Sequence, residues 1–358
     1  MFEDRIKKLR IILNEEKLDA FLVSSPINIG YLTGYFNFSK DEREAYLFVS
    51  KQTVILFTDP RYIEAVEKIV SKKIKATIES WTKVLKKEIE SKKITTLGFE
   101  KNLTFEEHRI FKKNLGIKLV STDYFIEELR SEKDDAEIKA MRKAALLTDQ
   151  TFGFIKKKIK LGVSEKEIAF EMEMFIKKNG GTLAFDSIVA FGANSSIPHH
   201  LTSDKKLSKN DSFVLLDFGA KVDGYCCDMT RTIIVNPTAK AKKIYQSVLD
   251  AQLAAINYID SNKNPEGKKA AGAANAILVK NDFAQIPHGL GHGIGLEVHE
   301  TPHLSPKTDD ILFPNQVFSV EPGVYIPGFG GVRIEDTAFL NGAKLELLTT
   351  SPKELEIL

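Results

Sequence analysis

Short apolar runs alternate with charged amphipathic stretches through roughly the first 125 residues. AFLVSS at 20–25, AYLFVSK at 45–51, TVILFTD at 53–59, ITTLGFE at 94–100 and IKLVST at 117–122 read as strands. Between them RYIEAVEKIV and TKVLKKEIESKK carry helical spacing, so this part predicts a small α/β domain. The charged cluster SEKDDAEIK at 131–139 interrupts the pattern, and a new periodic run through Ala144, Leu147 and Phe152 follows. The boundary is therefore expected near residue 130, giving domains over 1–130 and 131–358. Beyond it the spacing predicts helices over 137–160, 164–179 and 239–259 and strands over 213–219, 225–235, 316–321 and 331–340. These do not alternate as βαβ units, so the expected class is α+β, with helices against an antiparallel sheet.

Composition narrows the function. The 358 residues are 43% hydrophobic, enough for two cores. Lys and Arg total 51 against 49 Asp and Glu, and a net charge of +2 gives no electrostatic ground for a nucleic-acid or membrane partner. The opening MFEDRIKKLR carries acids, and no uncharged run is long enough to span a bilayer, so a soluble cytoplasmic protein is expected. Cys226 and Cys227 are too few and too close to staple a fold and suit reducing surroundings. Six of the seven histidines fall between His199 and His303, which puts candidate chemistry in the second half.

Five metal-binding side chains, Asp217, Asp228, His292, Glu321 and Glu335, stand in separate apolar, strand-like or Gly-rich patches. Four carboxylates and one imidazole form a hard, anionic set able to hold two divalent cations. In DSFVLLDFGAKVDGYCCDMTRTIIV, Asp223-Gly224 suits a tight hairpin turn. With that turn Val222 faces Tyr225 and Asp217 faces Thr230; Asp217 and Asp228 then project from one face. In IPHGLGHGIGLEVHETPH the glycines at 289, 291, 293 and 295 admit close backbone approach around His292, without the spacing of a dinucleotide fingerprint. His299-Glu300-Thr301-Pro302-His303 matches HExxH, but Pro302 is incompatible with the continuous helix that makes that motif a zinc site.

With DFGAKVDGYCCDMTRT, HGLGHGIGLEVHE, SVEPGVY and GVRIEDT in one order, the chain resembles the pita-bread metallopeptidases, and within them the Xaa-Pro dipeptidases (prolidases) and Xaa-Pro aminopeptidases. INIGYLTGY, TDPRYIEAV and IVAFGANSSIPHH extend the likeness over nearly the whole chain. The resemblance implies a pita-bread catalytic domain after a smaller creatinase-like domain that shapes the substrate cleft and supports a homodimer. It implies that Asp217, Asp228, His292, Glu321 and Glu335 are the ligands of two cations, Asp228 and Glu335 bridging them. It further implies that His199, with His200 as a substitute, and His299 contact substrate and stabilise the tetrahedral intermediate. Glu321 would pass a proton to the leaving nitrogen. His303 and Arg333 complete the candidate substrate contacts, although Arg333 could instead orient a carboxylate. Cys227 departs from the serine of many relatives, and no motif identifies a basic group for a dipeptide's free carboxylate.

The expected reaction is hydrolysis of the bond before proline in dipeptides or short peptides, by hydroxide shared between the two metals. Mn2+ or Co2+ is expected, with Zn2+ or Fe2+ also compatible. The alternatives are an Xaa-Pro aminopeptidase acting on longer peptides and a non-catalytic binding module of the same fold. The complete ligand set argues against the latter, and against metal-free creatinase-like chemistry.

Overall fold

The alternating runs of the N-terminal unit, Met1–Arg130, assemble into one six-stranded mixed sheet. Its order is Lys75–Thr77, Val54–Phe57, Tyr46–Ser50, Ala20–Val23, Thr96–Glu100, Lys118–Thr122. The central strand Ala20–Val23 pairs antiparallel with Tyr46–Ser50 and parallel with Thr96–Glu100. Helices Trp81–Lys92 and Phe105–Leu115 turn their apolar stripes, Val84, Leu85 and Ile89 with Phe111 and Leu115, onto Leu22, Phe48, Ile55 and Leu97 of the sheet. The computed structural model describes residues 2–39 and 41–358.

The C-terminal unit, Ser131–Leu358, is α+β with wholly antiparallel named strands among the described residues. A three-stranded sheet runs Met229–Ile234, Phe213–Phe218, Ile188–Phe191, and a five-stranded sheet runs Glu300–Leu304, Gly291–Gly293, Val317–Val320, Asp336–Asn341, Lys344–Leu347. Helices Ala239–Asp260 and Gly267–Lys280 cover the latter, burying Ile244, Val248, Ala251, Ala274 and Leu278 against Phe318, Val320, Ala338 and Leu340. Helix Gly267–Lys280 lies outside the sequence expectation, because its Ala- and Gly-rich run carries little amphipathic contrast. The helix expected over 137–160 stops at Ile155: three consecutive lysines, Lys156 to Lys158, turn away and Gly162 takes φ +87°.

Two expected strands are each broken. The 225–235 run divides into Tyr225–Cys226 and Met229–Ile234, and the 331–340 run into Gly330–Arg333 and Asp336–Asn341, the pieces joining different sheets. Ahead of the first break the Asp223-Gly224 turn, with φ +51° and +86°, sets the expected register, Val222 opposite Tyr225 and Asp217 opposite Thr230. Gly219 then lies so close to the returning strand that a Cβ there would be 1.8 Å from the Cys227 carbonyl oxygen. At the second break the Glu335 N–H donates to the Thr230 carbonyl at 3.1 Å, drawing the chain from one sheet to the next.

Arg231 ties these sheets together from behind. Its guanidinium meets Asp336 Oδ1 at 2.6 Å and donates to the carbonyls of Glu335, at 2.5 Å, and Ser351, at 2.8 Å; both side chains of the pair are at most 2% exposed. Asp336 also accepts from Lys353 at 2.7 Å, Gln252 at 2.9 Å and Thr349 at 2.9 Å. No helix among the described residues is long and apolar enough to cross a membrane. Replacing Arg231→Met leaves a buried carboxylate with half its cationic partners and is expected to cost about 3–5 kcal/mol, read from denaturant unfolding; an unshifted midpoint contradicts the clamp.

Candidate metal centre

The five expected ligands converge from five places in the C-terminal unit. Asp217 projects from strand Phe213–Phe218 and His292 from the middle of Gly291–Gly293. Glu321 is the first residue after Val317–Val320, while Asp228 and Glu335 occupy the two strand breaks. Freed from a ladder, a residue at a break can aim its side chain where a continuous pleat would not. Asp228, His292 and Glu335 each present a ligand atom, and these lie within 4.8 Å of one another. His292 Nε2 is 3.3 Å from Glu321 Oε1 and 3.8 Å from Asp228 Oδ2. The strand bearing His292 is held close to both neighbours because Gly291 and Gly293 carry no side chain. A Cβ at these positions would sit 1.9 Å from the Ser319 oxygen and 2.0 Å from the Thr301 oxygen.

All five groups line one cavity of about 540 Å³, together with His199, His288, His299, His303 and Arg333. Asp228 and Glu335 are 5% and 2% exposed, and one oxygen of each, Asp228 Oδ1 and Glu335 Oε1, is buried with no hydrogen-bond partner. Buried carboxylate oxygens without donors are costly, and their alignment with an imidazole and two further carboxylates fits divalent cations. The charge distribution agrees. Burial, reinforced by the mutual repulsion of the acids, pushes Asp228 and Glu335 well above the usual carboxylate range. Burial also raises Asp217, although Arg333 opposes it. For Glu321, burial is outweighed by its hydrogen bond to His292 and by the His292, His288 and Arg333 charges, leaving its carboxyl below the usual range. His292 is displaced upward because Glu321 more than offsets burial.

Arg333 lines the cavity, but its fork is occupied. It meets Asp217 Oδ2 at 2.5 Å, Thr230 Oγ1 at 3.0 Å and the Tyr325 hydroxyl at 2.8 Å, with its side chain 4% exposed. Thr230 in turn donates to Glu335 Oε2 at 2.7 Å, so one guanidinium fixes two candidate ligands. Tyr325, its phenol pushed up to about 12 chiefly by burial, is 2.9 Å from His288 Nε2. Thr230, expected from the sequence only as the residue opposite Asp217, joins Tyr325 and His288 as site residues that the sequence does not mark. His288, four residues before His292 in the Gly-rich segment, carried the clearest signal.

The remaining candidates separate by position. His199 and His303 face the cavity from its exposed rim, and the His299 ring lies edge-on to His292 at 4.3 Å between centroids. Partial burial and the nearby His292 hold His299 below the usual imidazole range. His200 turns away from the cavity toward Glu165, 2.9 Å from its Oε2. The HExxH residues form no helix. Glu300–Leu304 is a strand, and the Glu300 carboxylate forms a buried pair with Lys133 at 3.2 Å. Both cysteines are buried, and they form no disulfide with each other.

Comparison with known proteins agrees with this architecture. Residues 139–341 match the metallopeptidase family M24, and residues 5–131 match the creatinase/prolidase N-terminal domain. The chain is 37% identical to the uncharacterized peptidase YqhT of Bacillus subtilis, over 99% of this chain and 100% of that one. Its structure resembles the Xaa-Pro dipeptidase from Bacillus anthracis, with a TM-score of 0.93, 36% identity and complete coverage of both chains. It also resembles the X-Pro aminopeptidase from Thermotoga maritima, with a TM-score of 0.86 and 31% identity over 96% of this chain and 98% of that one. The chain therefore belongs to metallopeptidase family M24, as a pita-bread enzyme of the Xaa-Pro dipeptidase and aminopeptidase group with a creatinase/prolidase N-terminal domain.

Proposed function

We propose that this peptidase hydrolyses the bond before proline in Xaa-Pro dipeptides, using two divalent cations held by Asp217, Asp228, His292, Glu321 and Glu335. The observation that carries the reading is the pair of buried, unpartnered oxygens on Asp228 and Glu335 within a cavity of four carboxylates. Bound there, the cations supply Lewis acidity and render water nucleophilic near neutral pH. Mn2+ or Co2+ suits the oxygen-rich set. The protein's own groups do the rest. Glu321, ionised at neutral pH, accepts the proton of the attacking water and delivers it to the leaving imino nitrogen. His299, kept neutral, and His199 donate N–H to the carbonyl oxygen as negative charge develops on it. His303, at the rim, contacts the substrate beyond the scissile bond. Arg333 acts through Asp217 and Thr230, since its donors are already engaged.

Dipeptide preference is supported by the likeness to the Bacillus anthracis Xaa-Pro dipeptidase; the aminopeptidase reading is supported by the Thermotoga maritima neighbour. A cytoplasmic homodimer working on short proline peptides completes the proposal.

Glu321→Ala is expected to abolish metal retention and lower kcat at least about 100-fold; Xaa-Pro turnover at the parent rate removes Glu321 from this role. Gly-Pro is expected to exceed a longer Gly-Pro peptide in kcat/KM by at least about tenfold, equivalent to ~1.4 kcal/mol; the reverse order makes the enzyme an aminopeptidase. In metal-free protein the sign of the pH effect is set by the raised Asp228 and Glu335. The folded state binds more protons than the unfolded, so their contribution to stability falls as pH rises above the ordinary carboxylate range near about 4. Asp228→Asn is therefore expected to gain thermal stability relative to the metal-free parent as pH is raised from about 5 to about 8. A difference that shrinks over that interval contradicts the charge assignment.

A further inference from the structure

We infer that Glu165 is a positioning residue for His199, its buried carboxylate anchoring the segment from Phe191 to Ser203 so that the His199 imidazole faces the cavity. The inference rests on the proposed role of His199. The Glu165 side chain has no exposed surface, yet it is not needed by its own helix. Ser164 caps helix Glu165–Lys178, and Glu167 completes the capping box. Glu165 instead accepts five hydrogen bonds from the neighbouring segment. Oε1 receives the Phe191 N–H at 2.8 Å and Asn194 Nδ2 at 2.8 Å. Oε2 is 2.9 Å from His200 Nε2 and receives the Ser203 N–H at 2.9 Å and the Ser203 hydroxyl at 2.5 Å.

These donors bracket His199. Phe191 ends the strand Ile188–Phe191, whose Ile188 pairs with Asp217, so one end of the segment is registered to a candidate ligand. Ser203 fixes the other end, and Thr202 assists by accepting from the Val189 N–H at 3.0 Å and donating to the Ser187 carbonyl at 2.9 Å. Hydrophobic packing contributes little to holding the tip, since Ile197 is 53% and Leu201 87% exposed. With His200 drawn inward to Glu165, its neighbour His199 is left on the cavity side. Burial pushes the Glu165 carboxyl up, but donation from Ser203, His200, Phe191 and Asn194 outweighs it, so the group is anionic and fully coordinated at neutral pH. A carboxylate able to accept from five donors at once suits this place; an amide turns a donor of its own toward N–H groups.

The test is Glu165→Gln, alone and combined with His199→Ala. Misplacement of His199 is expected to lower kcat on the order of 10- to 100-fold with little change in KM. Manganese affinity, measured by calorimetry, is expected to stay at the parent value. In metal-free protein labelled in histidine, the His199 imidazole resonance is expected to double or broaden. Within the His199→Ala background, Glu165→Gln is expected to have no further effect on kcat. An equal loss in both backgrounds, or an unperturbed His199 resonance, overturns the inference. If Glu165→Gln does not fold, Ser203→Ala removes one donor and leaves the carboxylate. It is expected to give a smaller loss with the same perturbation of His199, and an unchanged resonance again overturns the inference. Parent-rate turnover by His199→Ala defeats instead the role proposed for His199, while the resonance still reports on Glu165.

Discussion

Four carboxylates pressed into one desolvated cavity repel each other, and most of the catalytic unit is arranged around that repulsion. Burial and like charge both oppose ionisation of Asp228 and Glu335. The protein supplies only partial relief. Arg333 meets Asp217 and reaches Glu335 through Thr230, while His292 meets Glu321. One oxygen on each of Asp228 and Glu335 is left without any donor. A structure that concentrates anionic oxygens and then withholds hydrogen bonds from two of them is one prepared for cations, and folding stability is given up for that readiness.

The backbone devices follow from the same need. Asp228 and Glu335 sit where strands break, and the breaks are stable because Arg231 and Asp336 clamp the sheets behind them. Glycines at 291 and 293 let the His292 strand come close enough for its imidazole to join the acids. Around this rigid floor the cavity wall is built from loops and strand ends bearing His199, His288, His299 and His303. Candidate ligands on strands, at strand breaks or just past a strand end, with candidate substrate contacts toward the rim, would divide the work between a part that holds cations and a part that meets peptides.

That the five candidate ligands converge on one cavity was legible from acids and an imidazole standing where local patterns disfavour them. Asp217 and Asp228 are carboxylates in strand-like apolar sequence, and Asp223-Gly224 set the register that puts Asp217 opposite Thr230. The α+β class was legible from helices and strands that do not alternate. The strand breaks were not: GGVRIEDTAFLN reads as one β-rich run, and the change of sheet depends on the distant Thr230 carbonyl. Arg333 shows the same limit, since its partner Asp217 lies 116 residues away. Helix Gly267–Lys280 is not legible because Ala-rich faces offer little polar contrast, and Glu165 sits inside an ordinary N-terminal capping signature. Pro302 was the reverse case, one residue sufficient to exclude the helical zinc motif.

The most direct measurement is calorimetric titration of metal-stripped protein with Mn2+ near neutral pH, repeated in two buffers of different ionisation enthalpy. Binding of two ions per chain with net release of protons is expected, because cations displace the protons that burial favours on Asp228 and Glu335. Saturation at one ion, no binding, or binding without proton release contradicts the dinuclear centre.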